Sequence, residues 1–261
     1  MPMKKIFLVL LLSLAAGPAH AAIKTQVVDY AYEGVTLKGF LAWDDAIQGK
    51  RPGVMVVHEF WGLNDYARSR AEQLAKLGYV AFAADMYGDG KSSTHPEEAR
   101  KMMAEVRANA KTWLGRANAA LQVLRDNPHV DANHIAAIGY CFGGATVLAL
   151  AYSGADLAAV VSFHGALMVP ESTQAIKARI LILQGAEDPF VPAETIQKLK
   201  AALDQGKVKY KFVAYPKAVH GFTNPDADKA GMKGVAYQAE ADRLSWQEML
   251  SLFQEVMKPG K

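Results

Sequence analysis

Three residues of this sequence combine a nucleophile, an acid and a base in the chain order that acyl transfer uses. Cys141 stands in Gly139-Tyr140-Cys141-Phe142-Gly143-Gly144, a G-x-S-x-G pattern with cysteine in place of serine. A nucleophile on a sharp strand-to-helix turn needs glycines on both sides, because a side chain there would collide with the strand or the helix. Such a turn lifts the sulfur to the N-terminus of the helix that begins near Ala145, facing its partial positive charge. The same turn aims the Phe142 N–H at a developing oxyanion. The competing reading is a glycine-rich turn with a small buried cysteine, or a dinucleotide-binding loop. The G-x-G-x-x-G that the latter requires is not formed here.

Asp188 lies in Gly185-Ala186-Glu187-Asp188-Pro189, just past an apolar run at 179–184, and His220 lies in Ala218-Val219-His220-Gly221-Phe222, just past another at 209–215. Singly, an Asp before Pro reads as a turn former and a loop His as an exposed side chain. Together they follow successive strands, in the order Cys, Asp, His, so all three side chains are expected to meet at the carboxyl edge of one sheet.

The elements that must position them alternate along the chain. Two β-prone runs, 26–32 and 35–43, flank Glu33-Gly34 and predict an opening hairpin. Gly53-Val54-Met55-Val56-Val57 reads as a strand buried on both faces. Ala67, Ala71, Leu74 and Ala75 then repeat at helical spacing up to Gly78, and 79–83 reads as the next strand. Helices are predicted at 97–107, 112–125 and 193–203, and strands at 135–138, 158–163, 179–184 and 209–215. Trp246, Met249, Leu250, Phe253 and Met257 form the apolar stripe of a closing helix. The fold class expected is α/β: a mostly parallel central sheet with helices on both faces and a leading antiparallel hairpin, in one domain over 22–261.

Four stretches make the chain resemble the dienelactone hydrolase family of the α/β-hydrolase fold: His58-Glu59-Phe60-Trp61-Gly62-Leu63-Asn64 with Val57 before it, Ala84-Asp85-Met86-Tyr87, 139–144, and the loops of Asp188 and His220. The resemblance implies that Glu59 sits beside the thiol and helps to activate it. It also implies that the Phe60 and Phe142 amides form the oxyanion hole. The residues themselves leave a second role for Glu59, as a helix cap or an ion-pair partner. Trp61 and Tyr87 suit a pocket lining or a core equally, and His164, at a strand end, is placed on the pocket wall. Members of the family hold a substrate carboxylate with two arginines, for which this chain has Gly88-Asp89 and Thr223-Asn224. No such clamp is expected at those places.

The chain has 261 residues, 51% hydrophobic and 21% charged, the proportions of a protein with a large core. Lys4 and Lys5, the apolar run 6–12 and the small residues up to Ala22 read as a signal peptide over 1–21, cleaved after Ala21. Export to the periplasm or medium is expected, with no stable membrane insertion after cleavage. Two units of the formal net charge of +3 belong to Lys4 and Lys5, so nucleic acid is not an expected partner. A monomer is expected. The single cysteine excludes an intramolecular disulfide. No metal or cofactor is called for. The function expected is hydrolysis of small esters or lactones by Cys141, His220 and Asp188 through a thioester. The alternative is a non-catalytic ligand-binding or redox-thiol protein on the same scaffold.

Overall fold

The computed structural model describes residues 23–257. The segment expected to be a signal peptide therefore lies outside the described residues. Strands β1 (Ile23–Tyr32) and β2 (Val35–Asp44) form the hairpin, and its turn holds Glu33 and Gly34 at φ 48° and 78°. Next come β3 (Arg51–Val57), α1 (Asp65–Lys76), β4 (Val80–Ala84), α2 (Pro96–Arg107), α3 (Ala110–Asp126), β5 (Val130–Tyr140) and α4 (Phe142–Tyr152). The chain continues through β6 (Ala159–Phe163), β7 (Arg179–Gly185), α5 (Ala193–Gln205), β8 (Tyr210–Tyr215), a short 3₁₀ turn (Ala227–Ala230) and α6 (Ala239–Val256).

The eight strands form one sheet in the order β1-β2-β4-β3-β5-β6-β7-β8. β2 pairs antiparallel with both β1 and β4, and every other pairing is parallel. In β3, Met55 and Val57 join a core with Leu121 and Leu124 of α3 and Leu148 of α4. Val54 and Val56 point the other way, to Ala71 and Leu74 of α1 and Met249 and Phe253 of α6. A strand whose alternate residues feed two cores must be apolar throughout, which is why this run shows no alternation. Both faces of the sheet are thus covered.

β5 is longer than its apolar run suggests. Val130 and Asp131 already pair with Arg51 and Pro52, and the register then slips so that Gly53 meets Ile135. The unpaired residues 132–134 form a bulge that hides the strand's start from periodicity. Helix α4 is buried from Phe142 to Ala151, so the turn before it is held between the sheet and the rest of the fold.

Candidate functional site

The tight turn joins β5 to α4. Cys141 has φ 52° and ψ −110°, a conformation that a non-glycine residue holds only when its surroundings impose it. Its N–H donates to the Phe163 carbonyl at 3.0 Å and its carbonyl accepts from Ala145 N–H at 3.2 Å. A Cβ on Gly139 would collide with the Gly143 carbonyl, and one on Gly143 with the Val57 carbonyl. The backbone closes so tightly here that only glycine fits, and the partly exposed sulfur is pushed to the sheet's carboxyl edge.

Asp188 follows β7 and His220 follows β8. His220 Nδ1 lies 2.9 Å from Asp188 Oδ2, and a carboxylate can only accept, so Nδ1 donates and Nε2 is left for the sulfur. The carboxylate is fixed from two further sides, by Gln184 Nε2 at 2.6 Å on Oδ2 and by Phe190 N–H at 2.9 Å on Oδ1. Burial works against the charged imidazole, but its interactions with Cys141 and Asp188 outweigh it, and His220 is raised from 6.5 to about 10. Hydrogen bonds to both Cys141 and Asp188 contribute to that shift. A strap at 234–236 bonds to His220 on both backbone sides, through Gly234 O at 3.2 Å and Ala236 N at 3.1 Å.

Glu59, on the loop after β3, is 5% exposed. It does not cap α1, which Asn64 does by accepting from Ala67 N–H. Its partner is Asn224, whose Nδ2 donates to Oε2 at 2.6 Å. Burial raises the Glu59 carboxyl from 4.5 to about 7 despite Asn224 and the charges of His220 and Arg70. His58 beside it accepts from Met86 N–H at Nε2 (3.2 Å) and so donates from Nδ1 to the Glu59 carbonyl (2.5 Å). It ties the loop after β3 to the loop after β4. Asp85 organises the latter, accepting from the amides of Tyr87, Gly88 and Gly90 and from Lys38 of β2.

Cys141, His220, Glu59, Phe60, Trp61 and Phe142 all line a cavity of about 240 Å³. Phe142 opens α4, where the first N–H groups have no intrahelical acceptor, and among the described residues neither its amide nor that of Phe60 donates to backbone. Two residues expected at the pocket stand behind it instead. Tyr87 is 6% exposed, packs its ring 4.8 Å from His58, and donates its hydroxyl to the Phe60 carbonyl at 2.9 Å. It supports the loop that presents the Phe60 amide. His164 is fully buried at the back of His220, ring centroids 5.3 Å apart, because its φ of 39° turns the chain inward after β6.

Three further lining residues are not singled out by the sequence. Arg100, Met103 and Arg107 of α2 share a helix face at i, i+3 and i+7 and reach the cavity. The two guanidiniums come from a different element than the places where arginine is missing. In the sequence Asn224 stands out only as a place without arginine, and its bond to Glu59 is not marked.

A model of the dienelactone hydrolase family matches residues 37–257. The chain belongs to the dienelactone hydrolase family. A Synechocystis relative, named provisionally as a carboxymethylenebutenolidase, is 30% identical over 90% of this chain and 98% of its own. The solved structure named m3DLH is 43% identical, covers 91% of this chain and 100% of its own, and superposes with a TM-score of 0.87. A dienelactone hydrolase-like promiscuous phosphotriesterase from metagenomic libraries is 40% identical with the same coverage and TM-score. As a dienelactone hydrolase family member the chain is a hydrolase-type α/β protein, and its cavity holds the residues described above. Among the described residues no group of His, Cys, Asp and Glu is arranged to hold a metal ion, and no helix is long and apolar enough to cross a membrane.

Proposed function

We propose that the protein hydrolyses small esters or lactones with Cys141 as nucleophile and a thioester intermediate. The observation that carries this reading is the imidazole of His220, held at Nδ1 by Asp188 and lining the same cavity as Cys141. Cys141 gives its proton to His220 as the sulfur attacks the carbonyl carbon, and charge moves to the carbonyl oxygen, facing the Phe60 and Phe142 amides. The tetrahedral adduct collapses, its leaving oxygen takes the His220 proton, and the acyl group stays on sulfur. Neutral His220 then takes a proton from water, whose oxygen attacks the thioester and releases the acid with sulfur as leaving group. Asp188 keeps Nδ1 protonated throughout and steadies the imidazolium without taking its proton.

Phosphotriesters are a second substrate class, supported by the 40% identical relative with that described activity. The two amides that take up charge on a carbonyl oxygen would take it up equally on a phosphoryl oxygen. The N-terminal pattern supports export, and we place the reaction outside the cytoplasm. Turnover of p-nitrophenyl acetate by wild type and Cys141→Ala tests the reading, with paraoxon as the second substrate. The variant should lose at least about a thousandfold in kcat/KM, and equal rates would discard the nucleophile.

A further inference from the structure

A permanently charged side chain lies buried behind the site without touching the cavity. Arg70 of α1 is 5% exposed. Its Nη2 donates to the Thr223 carbonyl at 2.7 Å and to Asp242 Oδ1 of α6 at 2.5 Å, and its guanidinium packs over the rings of Tyr66, Tyr140 and Trp246 at 5.1–5.7 Å. A buried ion pair is a poor way to gain stability alone, since apolar packing does the same work without desolvating charge. What distinguishes this one is where it is attached. Thr223 lies three residues after His220 and immediately before Asn224, the partner of Glu59.

The Thr223 hydroxyl extends the attachment. Its Oγ1 is 2.6 Å from the Tyr66 hydroxyl and 2.7 Å from His164 Nε2, and it is fully buried. Arg70 can only donate, and its Nε faces the Tyr66 oxygen at 3.4 Å, so Arg70, Tyr66, Thr223 and His164 form one continuous chain of polar contacts. The other ring nitrogen of His164, Nδ1, has no hydrogen-bond partner among the described residues. Burial, and the positive charges of His220 and Arg70, hold its pKa well below the ordinary value. Its ring stands at 68° to that of His220.

We propose that Thr223 and Arg70 are positioning residues: Arg70, anchored on Asp242, grips the loop 220–224 through the Thr223 carbonyl, and the Thr223 hydroxyl fixes His164 as the uncharged wall that keeps His220 seated between Asp188 and Cys141. One anchor then sets both His220 and, through the next residue, the donor to Glu59. The role rests on the acyl-transfer reading above for its chemistry, but its geometry can be tested without substrate.

The test compares Thr223→Val, which keeps the shape and removes the hydroxyl, with Thr223→Ser, which restores it. Two readouts are taken: kcat and KM for p-nitrophenyl acetate per folded molecule, and the rate of Cys141 alkylation by iodoacetamide. Thr223→Val should lower kcat by about tenfold to a hundredfold, leave KM within about twofold, and slow alkylation. Thr223→Ser should recover most of both. Wild-type kcat and alkylation in Thr223→Val, or a Ser variant no better than Val, would overturn the role. If Thr223→Val does not fold, Tyr66→Phe removes the hydroxyl between Arg70 and Thr223, and wild-type values there overturn it equally. A wild type without ester turnover sinks the acyl-transfer reading, and the alkylation rates then decide the positioning role by themselves.

Discussion

The amide of Asn224 donates from 2.6 Å to the buried carboxyl of Glu59, a contact spanning 165 residues of chain. This direct partner is neutral, so the cost of burying charge dominates and the carboxyl is raised to about 7. The folded chain therefore binds this proton more tightly than the unfolded chain does. The stability it contributes is full below about 4.5 and is lost as pH rises through about 7. Glu59→Gln should match wild type near pH 4 and be more stable at pH 8, by up to about 3 kcal/mol. Urea unfolding at both pH values measures it, and a pH-independent difference would contradict the assignment.

His220 carries the same sign with a different cause. Its raised pKa depends on Cys141 and Asp188 together, so its contribution to stability is present below about 6.5 and is lost as pH rises through about 10. Cys141→Ala removes the sulfur and should lower the His220 pKa, and Asp188→Asn should lower it too. NMR titration of the ring Cε1–H in each variant reads the shift. An unchanged midpoint in Cys141→Ala would mean that the sulfur does not face the imidazole.

Arg100 and Arg107 are exposed and have no carboxylate partner among the described residues, yet both reach the cavity lined by Cys141 and His220. Replacing both with Gln should raise KM several-fold for an anionic ester such as mono-p-nitrophenyl glutarate, in keeping with about 0.2–1 kcal/mol per exposed charge pair. It should leave p-nitrophenyl acetate unaffected, and added salt should erase the difference. Equal effects on both esters would show that the arginines act on shape instead of charge.

Gly143→Ala places a methyl group against the Val57 carbonyl, where backbone of β3 leaves no room. The expected loss is about 1–3 kcal/mol or more, with a fall in Tm. A wild-type Tm would mean that the turn relaxes freely, and the tight elbow would lose its physical basis.

How much of this was legible in the sequence follows from the range of each interaction. Gly139, Cys141 and Gly143 could be read because a tight turn writes its steric demand into neighbouring residues. The hairpin at Glu33-Gly34 and the strand at 53–57 were readable for the same local reason. The Glu59–Asn224 and Arg70–Thr223 contacts join residues 165 and 153 positions apart, and no periodicity marks them. His164 directly follows β6 and Tyr87 comes three residues after β4, but position after a strand does not tell whether the side chain turns to the cavity or behind it. The φ of 39° at His164 decided that. Arg100 and Arg107 were hidden because 97–107 reads as a helix with nothing in the sequence to say which of its faces meets the site.

The most direct measurement of the central claim is intact-mass analysis of the protein quenched in acid within the first turnover of p-nitrophenyl acetate. The account predicts one added acetyl group per chain, mapping by peptide digestion to Cys141, and none in Cys141→Ala. Acetylation elsewhere with steady ester turnover, or full turnover in Cys141→Ala, would contradict it.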